Sequence, residues 1–417
     1  MQEMKYSGVE WIGEIPEDWG IVKVKQAFVR KNEKAQQENP VVLSLARSGV
    51  RVRDVSTNEG QVAESYYNYN PVSVGDLLLN PMDLYSGANC SLSEVEGVIS
   101  PAYVNLKNKE GYFSKFYDYY FKVQYWMMVL FAHGKGVSFD NRWTLNHETL
   151  MNFPIVSPDF KTQKHIADFL DDKCGKIDRY IEKQQQIIDK LKEYKQAVIT
   201  EAVTKGLDPD VPMKDSGIEW IGMIPEHWKV MRIKNLLKER NERSEDGIEE
   251  PLSMSQKLGL IPTKFMDTIP NIASSFIGAK LAYVNDLVFN KLKAHLGVFS
   301  VSRYDGLVSP DYAVYYSTGL ANLKYLEYTF KTPQCICEFR KKSSGIADGL
   351  TRLYTSGLFS IYVPFPCIME QNSIAKHLET RCSEIDSAIS KQTSIIEKLT
   401  EYKKSLIYEA VTGKMEV

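Results

Sequence analysis

The chain has 417 residues, too many for one ordinary domain, and its apolar fraction of 43% and charged fraction of 25% are those of a globular protein. With 51 basic against 53 acidic side chains its formal net charge is −2, so it lacks the bulk positive charge typical of a nucleic-acid binder acting alone. No apolar run reaches the roughly 18 residues that a membrane span needs, and the opening MQEMKYSG lacks the basic start and apolar core of a signal peptide, so a cytoplasmic location is expected.

The first distinctive stretch is SGVEWIGEIPEDW, beginning at Ser7. β-rich runs follow, PVVLSLA and VGDLLLN among them, broken by Gly, Asn and Pro, and residues 116–134 (FYDYYFKVQYWMMVLFAHG) read as one or two buried helices. From Gln163 apolar residues step by three and four through Ile166, Leu170, Cys174, Ile177, Ile181, Ile188, Leu191 and Val198, with Glu and Lys between them. That pattern predicts a helix of about 37 residues, roughly 55 Å long, with coiled-coil spacing. A linker containing two prolines covers 206–214.

Then the text starts again. SGIEWIGMIPEHW begins at Ser216, so that Trp11 answers Trp220, Pro16 answers Pro225 and Trp19 answers Trp228, an offset of 209. LSLARSG at Leu43 recurs loosely as LSMSQKLG at Leu252, VISPAY at Val98 recurs as LVSPDY at Leu307, and the helical stripe recurs from Gln371 as Ile374, Leu378, Cys382 and Ile385. A period this long is no solenoid repeat, whose units run to about 20–50 residues. The chain is a duplicated pair, and its expected fold is α/β or α+β. Globular domains cover 1–162 and 215–370, with long helices at 163–205 and 371–417. The linker is too short to carry the chain back past a helix of that length, since ten residues span at most roughly 33–36 Å. An approximate two-fold relation also closes on itself, so the helices are expected to pack antiparallel as a coiled coil.

Little in the sequence suggests catalysis. There is no G-x-x-x-x-G-K-[ST] loop, NPMD at Asn80 lacks the second proline and aromatic of an adenine methyltransferase turn, and the E-x-K triplets at Glu193 and Glu401 fall inside the helical stripes. HETL at His147 lacks the second histidine of a zincin, and the six cysteines show no zinc spacing, so no catalytic or metal-ligating residue is assigned. Basic clusters do occur in glycine-containing loops: ARSGVRVR with Arg47, Ser48, Arg51 and Arg53; HGKGVSFDNR with Lys135, Asn141 and Arg142; NKLKAHLG with Lys291, Lys293 and His295; FRKKSSG with Arg340, Lys341 and Lys342. Corresponding points of the other copy carry Gln256 and Lys257, Tyr85, and Arg352. Arg or Lys suits guanine and Gln suits adenine in the major groove, which makes Arg47, Ser48, Arg51, Arg53, Tyr85, Lys135, Asn141, Arg142, Gln256, Lys257, Lys291, Lys293, His295 and Arg352 the DNA-binding candidates, with Arg340, Lys341 and Lys342 not among them.

EWIGxIPxxW before a variable domain, Q…IAxxLxxxxxxID opening a long helix and KLxEYKxxxIxEAVT closing it, all twice, resemble the specificity subunit of a type I restriction-modification enzyme over essentially the whole chain. The resemblance implies two target recognition domains reading a bipartite, gapped double-stranded DNA target. It further implies that two methyltransferase subunits and two restriction subunits are partners, with S-adenosylmethionine, ATP and Mg on those partners and no cofactor on this chain. The near-identical tryptophan motifs cannot distinguish two half-sites, so they are expected to pack against the helices or to meet the methyltransferase, while base reading falls to the divergent loops. A coiled-coil adaptor that binds only proteins is the alternative reading.

Overall fold

The computed structural model describes residues 3–56, 63–87, 89–136, 143–256, 258–266, 276–345 and 351–417. Two helices, Phe160–Lys205 and Ile368–Val411, are 46 and 44 residues long. Both exceed the predicted 37 because helical hydrogen bonding continues past the apolar stripe. At the first helix's start the Asp159 carboxylate accepts the amides of Lys161 (2.9 Å) and Thr162 (3.1 Å), satisfying donors that the helix itself cannot. The Thr162 hydroxyl, which donates to the same carboxylate at 2.5 Å, and then these amides hold the Asp159 carboxyl below the usual carboxylate range. At the far ends, Gly206 (φ 81°) and Gly413 (φ 71°) take the left-handed conformation that stops a helix.

The chain divides into two compact units, one of Met1–Gln185 with Ser394–Val417 and the other of Gln186–Thr393. Each unit therefore holds a stretch of both helices. In the first, Asp178 meets Lys403 at 2.7 Å, and Cys174, four residues earlier, shares a cleft with Ile407, four residues later. In the second, Lys195 meets Asp386 at 2.6 Å, and Val198 and Ala202 share a cleft with His377. Advancing along one helix retreats along the other in both units, so the two helices pack antiparallel, as expected.

Every pairing of named strands is antiparallel, which settles the mixed class as α+β. The first unit's four-stranded sheet runs Phe28–Lys31, Val104–Asn108, Leu77–Leu79, Cys90–Leu92, and the second repeats it as Leu237–Arg240, Tyr312–Ser317, Leu287–Asn290, Phe299–Val301. The aromatic run resolves into helices Ser114–Trp126 and Val129–Ala132, broken at Met128, whose φ is 59°.

A buried glutamine anchors each long helix. Gln163 accepts the Phe113 amide at 2.7 Å and donates to the Pro158 carbonyl at 2.7 Å; Gln371 accepts the Asn322 amide at 2.8 Å and donates to the Pro366 carbonyl at 2.9 Å. Both are fully buried, where an unbonded amide would be costly.

The tryptophan motifs supply the other fixture. Ile12, Ile15 and Trp19 share a core with Ile166 and Leu170 from the start of the first helix and with Ile407, Ala410 and Val411 from the end of the second. Ile221, Ile224 and Trp228 likewise receive Ala202 and Val203, the end of the first helix, and Ile374 and Leu378, the start of the second. Gly206 lies against the Trp228 ring, where an added Cβ would stand 3.3 Å from Cζ2, and Gly413 lies against Pro16 and Trp19. The motifs thus hold helix ends in packed cores, a structural role as expected. Trp228→Ala is expected to destabilise its unit by about 3–5 kcal/mol, whereas Lys403→Met, which removes an ion pair between a half-buried lysine and an exposed aspartate, should cost under about 1 kcal/mol. Urea unfolding of the two variants checks the contrast, and equal losses would assign the helix docking to charge instead of packing.

Candidate nucleic-acid interface

In each unit three loops lie beside one another, and they hold most of the candidate residues. The first is a hairpin, Leu43–Ala46 with Gly49–Val52, whose two-residue turn is Arg47 and Ser48, both exposed. Arg51 is exposed and lies opposite Ser44, its Nε 3.4 Å from Ser44 Oγ. Arg53 is half-buried, and two-residue alternation puts it on the same strand face as Arg51. The matching hairpin, Leu252–Ser255 with Gly259–Pro262, turns over Gln256 to Leu258, and Gln256 is exposed. Lys257 lies outside the described residues, as do Asn141 and Arg142.

The second loop joins an inner sheet strand to the edge strand beside it, Leu77–Leu79 to Cys90–Leu92 and Leu287–Asn290 to Phe299–Val301. In the first unit it starts at Asn80, whose side chain accepts the Met82 amide at 3.0 Å; in the second Asn290 accepts the Leu292 amide at 3.1 Å. Tyr85 stands 75% exposed on the first version. On the second, Lys293 is exposed, Lys291 and His295 are half-buried, and His295 Nδ1 is buried without a hydrogen-bond partner. The third loop is closed by a backbone bridge, Lys135 with Thr144 in one unit and Ser344 with Arg352 in the other. Lys135 is exposed, and Arg352 forms an ion pair with Asp311 at 3.3 Å.

The same contacts join these loops in both units. The Leu145 amide donates to the Pro81 carbonyl at 2.9 Å, and the Leu353 amide donates to the Lys291 carbonyl at 3.0 Å, tying the third loop to the second. Each hairpin sits on the sheet through glycine. A Cβ on Gly49 would stand 3.4 Å from Ser91 Oγ, and one on Gly259 would stand 2.5 Å from Ser300 Oγ. Gly97 and Gly306 pass under the hairpins, where a Cβ would lie 2.9 Å from Leu43 Cγ and from Leu252 Cγ respectively.

Repeat offsets locate the variation. Leu43 matches Leu252 at 209, but across the hairpin turn Gly49 matches Gly259 at 210. Asn80 matches Asn290 at 210, but across the second loop Cys90 matches Phe299 at 209. Lys135 matches Ser344 at 209, and across the third loop Thr144 matches Arg352 at 208, the offset kept by the long helices. All three changes of length fall in the three loops.

Arg47 opens onto a cleft of about 650 Å³ also lined by Gly87, Lys122, Trp126, Lys403 and Lys404. Lys122 pairs with Asp118 at 2.6 Å and Lys403 with Asp178, while Arg47 and Lys404 have no acidic partner among the described residues. Lys404 Nζ lies 5.7 Å from the Trp126 ring centre. Cys174, on the cleft wall, has its thiol pushed up to about 11 by burial, so it stays protonated near neutral pH. The sequence reading assigns these helix lysines no role, since Lys403 falls in the helical stripe and Lys404 is an exposed residue beside it. Of the other basic residues considered, Lys341 pairs with Glu338 at 2.7 Å and Lys264 with Glu250 at 2.9 Å. Lys280, buried under the second unit's loops, donates to the Tyr312 carbonyl at 3.0 Å, and burial holds its pKa below the usual lysine value. Among the described residues no three His, Cys, Asp or Glu side chains are grouped to hold a metal, and no helix is long and apolar enough to cross a membrane.

A duplicated α+β recognition scaffold on two antiparallel helices is the class that this geometry defines. No family model matches the chain. It is similar to the type I restriction enzyme MjaVIII specificity subunit of Methanocaldococcus jannaschii, 22% identical over 97% of this chain and 94% of that one. The putative MjaX specificity subunit of the same organism is 24% identical over 97% and 96%, and the EcoBI specificity subunit of Escherichia coli 21% identical over 88% and 79%. Among solved structures, a chain from a study of complex assembly and conformational transition of the type I R-M system matches with a TM-score of 0.71 at 14% identity, covering 96% of this chain and 99% of that one. The HsdS subunit of Thermoanaerobacter tengcongensis matches at 0.50 and 12%, covering 96% and 98%. The chain is a homologue of type I restriction enzyme specificity subunits.

Gly306→Ala should lift the second hairpin off its sheet, because the new methyl meets the Glu250 carbonyl and the Leu252 side chain; overpacking of this kind costs typically 1–3 kcal/mol. Hydrogen exchange at residues 252–262 should speed up in this variant while the long helices are unaffected. Unchanged protection would mean that the hairpin seat tolerates the methyl.

Proposed function

We propose that the chain is the DNA sequence-specificity subunit of a type I restriction-modification complex, with the three loops of each unit reading one half of a bipartite, gapped target. The placement of every change in repeat length within those loops carries this reading, because it leaves one scaffold presenting two different surfaces. Two methyltransferase and two restriction subunits complete the complex, and they hold S-adenosylmethionine, ATP and Mg. This chain performs no chemistry. Its near-neutral charge suits a reader whose partners supply much of the phosphate neutralisation. Arg47, Ser48, Arg51, Arg53, Lys135, Gln256, Lys291, Lys293 and Arg352 are offered to base edges and phosphates, half or more of the contacts going to phosphate.

Exchange of residues 215–369 for the matching segment of a relative is expected to change one half of the methylated target and keep the other, read by methylome sequencing of a host carrying the complete system. A change in both halves, or a continuous palindromic target, would refute the division into two readers. Arg47→Gln, at an exposed turn, should leave unfolding unchanged. If it contacts phosphate it should flatten the slope of log affinity against log salt by about 0.9, and if it contacts a base it should relax the target at one position. A variant with native affinity, slope and target would remove Arg47 from the interface.

A further inference from the structure

Tyr85 is an exposed aromatic on a loop with little freedom to fold it away. The Asn80 side chain holds the Met82 amide at 3.0 Å, and the Asn80 amide donates to the Asn89 carbonyl at 2.8 Å. Further along, the Asp83 carboxylate receives the Ser86 amide at 3.1 Å, the Ser86 hydroxyl, and the Asn89 side-chain amide at 2.9 Å. From outside the loop, Tyr125 Oη donates to the Asn80 carbonyl at 2.8 Å. The space behind the ring is already filled: Phe131 lies 6.0 Å from it, centre to centre, and Trp143 backs Phe131 at 5.7 Å. The ring is therefore 75% exposed with its position braced from below.

Holding a large ring in water forgoes the stabilisation that burying it would gain. A fixed, exposed aromatic is a stacking surface whose ordering cost has been met before binding. The equivalent loop of the second unit, 291–298, holds no aromatic ring of this kind. It carries Lys293 and a half-buried His295. Resting on the reading above, we propose that Tyr85 is a base-stacking wedge: its ring packs on a base at a locally unstacked step of the half-site read by the first unit, and the second unit has no such wedge. Flexible pyrimidine–purine steps open most readily, so such a step belongs under the ring.

The test uses the complex of the chain with its methyltransferase subunits, without S-adenosylmethionine, and target duplexes carrying 2-aminopurine singly at each position of both half-sites except the methylated adenines. The wild type should brighten one position in one half-site, and Tyr85→Phe should keep that signal. Tyr85→Ala should lose it and bind the target about 5- to 150-fold more weakly, the equivalent of roughly 1–3 kcal/mol per stacked base, with the unfolding curve unchanged. If Tyr85→Ala keeps both the signal and the affinity, or if no position brightens while wild-type binding is sequence-specific, the wedge is refuted and the DNA-reading function stands. If the wild-type complex binds target and scrambled duplexes alike, the function itself is wrong.

Discussion

The fold depends on the docking of each helix end into a tryptophan-containing core. Ala202, Val203 and Gly206 close onto Trp228, and Ala410, Val411 and Gly413 close onto Pro16 and Trp19. Each globular unit thereby receives the start of one long helix and the end of the other, which two equal antiparallel helices can supply to two like domains. The repetition of the thirteen-residue motif follows: two near-identical sockets receive two near-identical plugs, EAVTKG and EAVTGK. Without that closure a helix more than forty residues long would lack a fixed end, and no loop would have a defined place.

With the scaffold fixed, the loops are free to differ. They rest on conserved contacts, a backbone bond from the third loop to the second and a glycine under each hairpin, while their lengths and side chains diverge. One copy offers Arg47, Tyr85 and Lys135, and the other Gln256, Lys293 and Arg352, so the two surfaces carry different donors and different apolar faces. Backbone position is held in common and side-chain chemistry is not, which suits the proposed reader of two unrelated half-sites.

The long helices, the main strands and the duplication were legible because each is a periodic signal spanning many residues. Strands Leu77–Leu79 and Leu287–Asn290 fall where DLLLN and DLVFN predict them. Both helices start three residues before the expected 163 and 371, and at the first of them Asp159 caps through hydrogen bonds that add nothing to apolar periodicity. Gln163 and Gln371 were visible as repeated letters, but their anchoring bonds reach residues some fifty positions away, and one sequence gives no sign of such partners. The cleft beside Arg47 was illegible for the same reason, because Trp126 and Lys404 are brought together only by the closure of the second helix onto the first unit. That Arg352, read as a DNA-binding candidate, is paired with Asp311 is likewise a matter of tertiary neighbours.

Under the proposed function each unit reads one half-site and both long helices run between the two units of one chain, so the spacing of the half-sites is expected to be set by the protein and not by the bases between them. The direct measurement is equilibrium binding of the chain with its methyltransferase subunits, at one salt concentration, to duplexes whose gap is either scrambled at constant length or lengthened by about half a helical turn, roughly five base pairs. Scrambling should leave affinity unchanged, and lengthening should reduce it to the level of unrelated DNA. Affinity indifferent to gap length would contradict a pair of readers fixed on one scaffold.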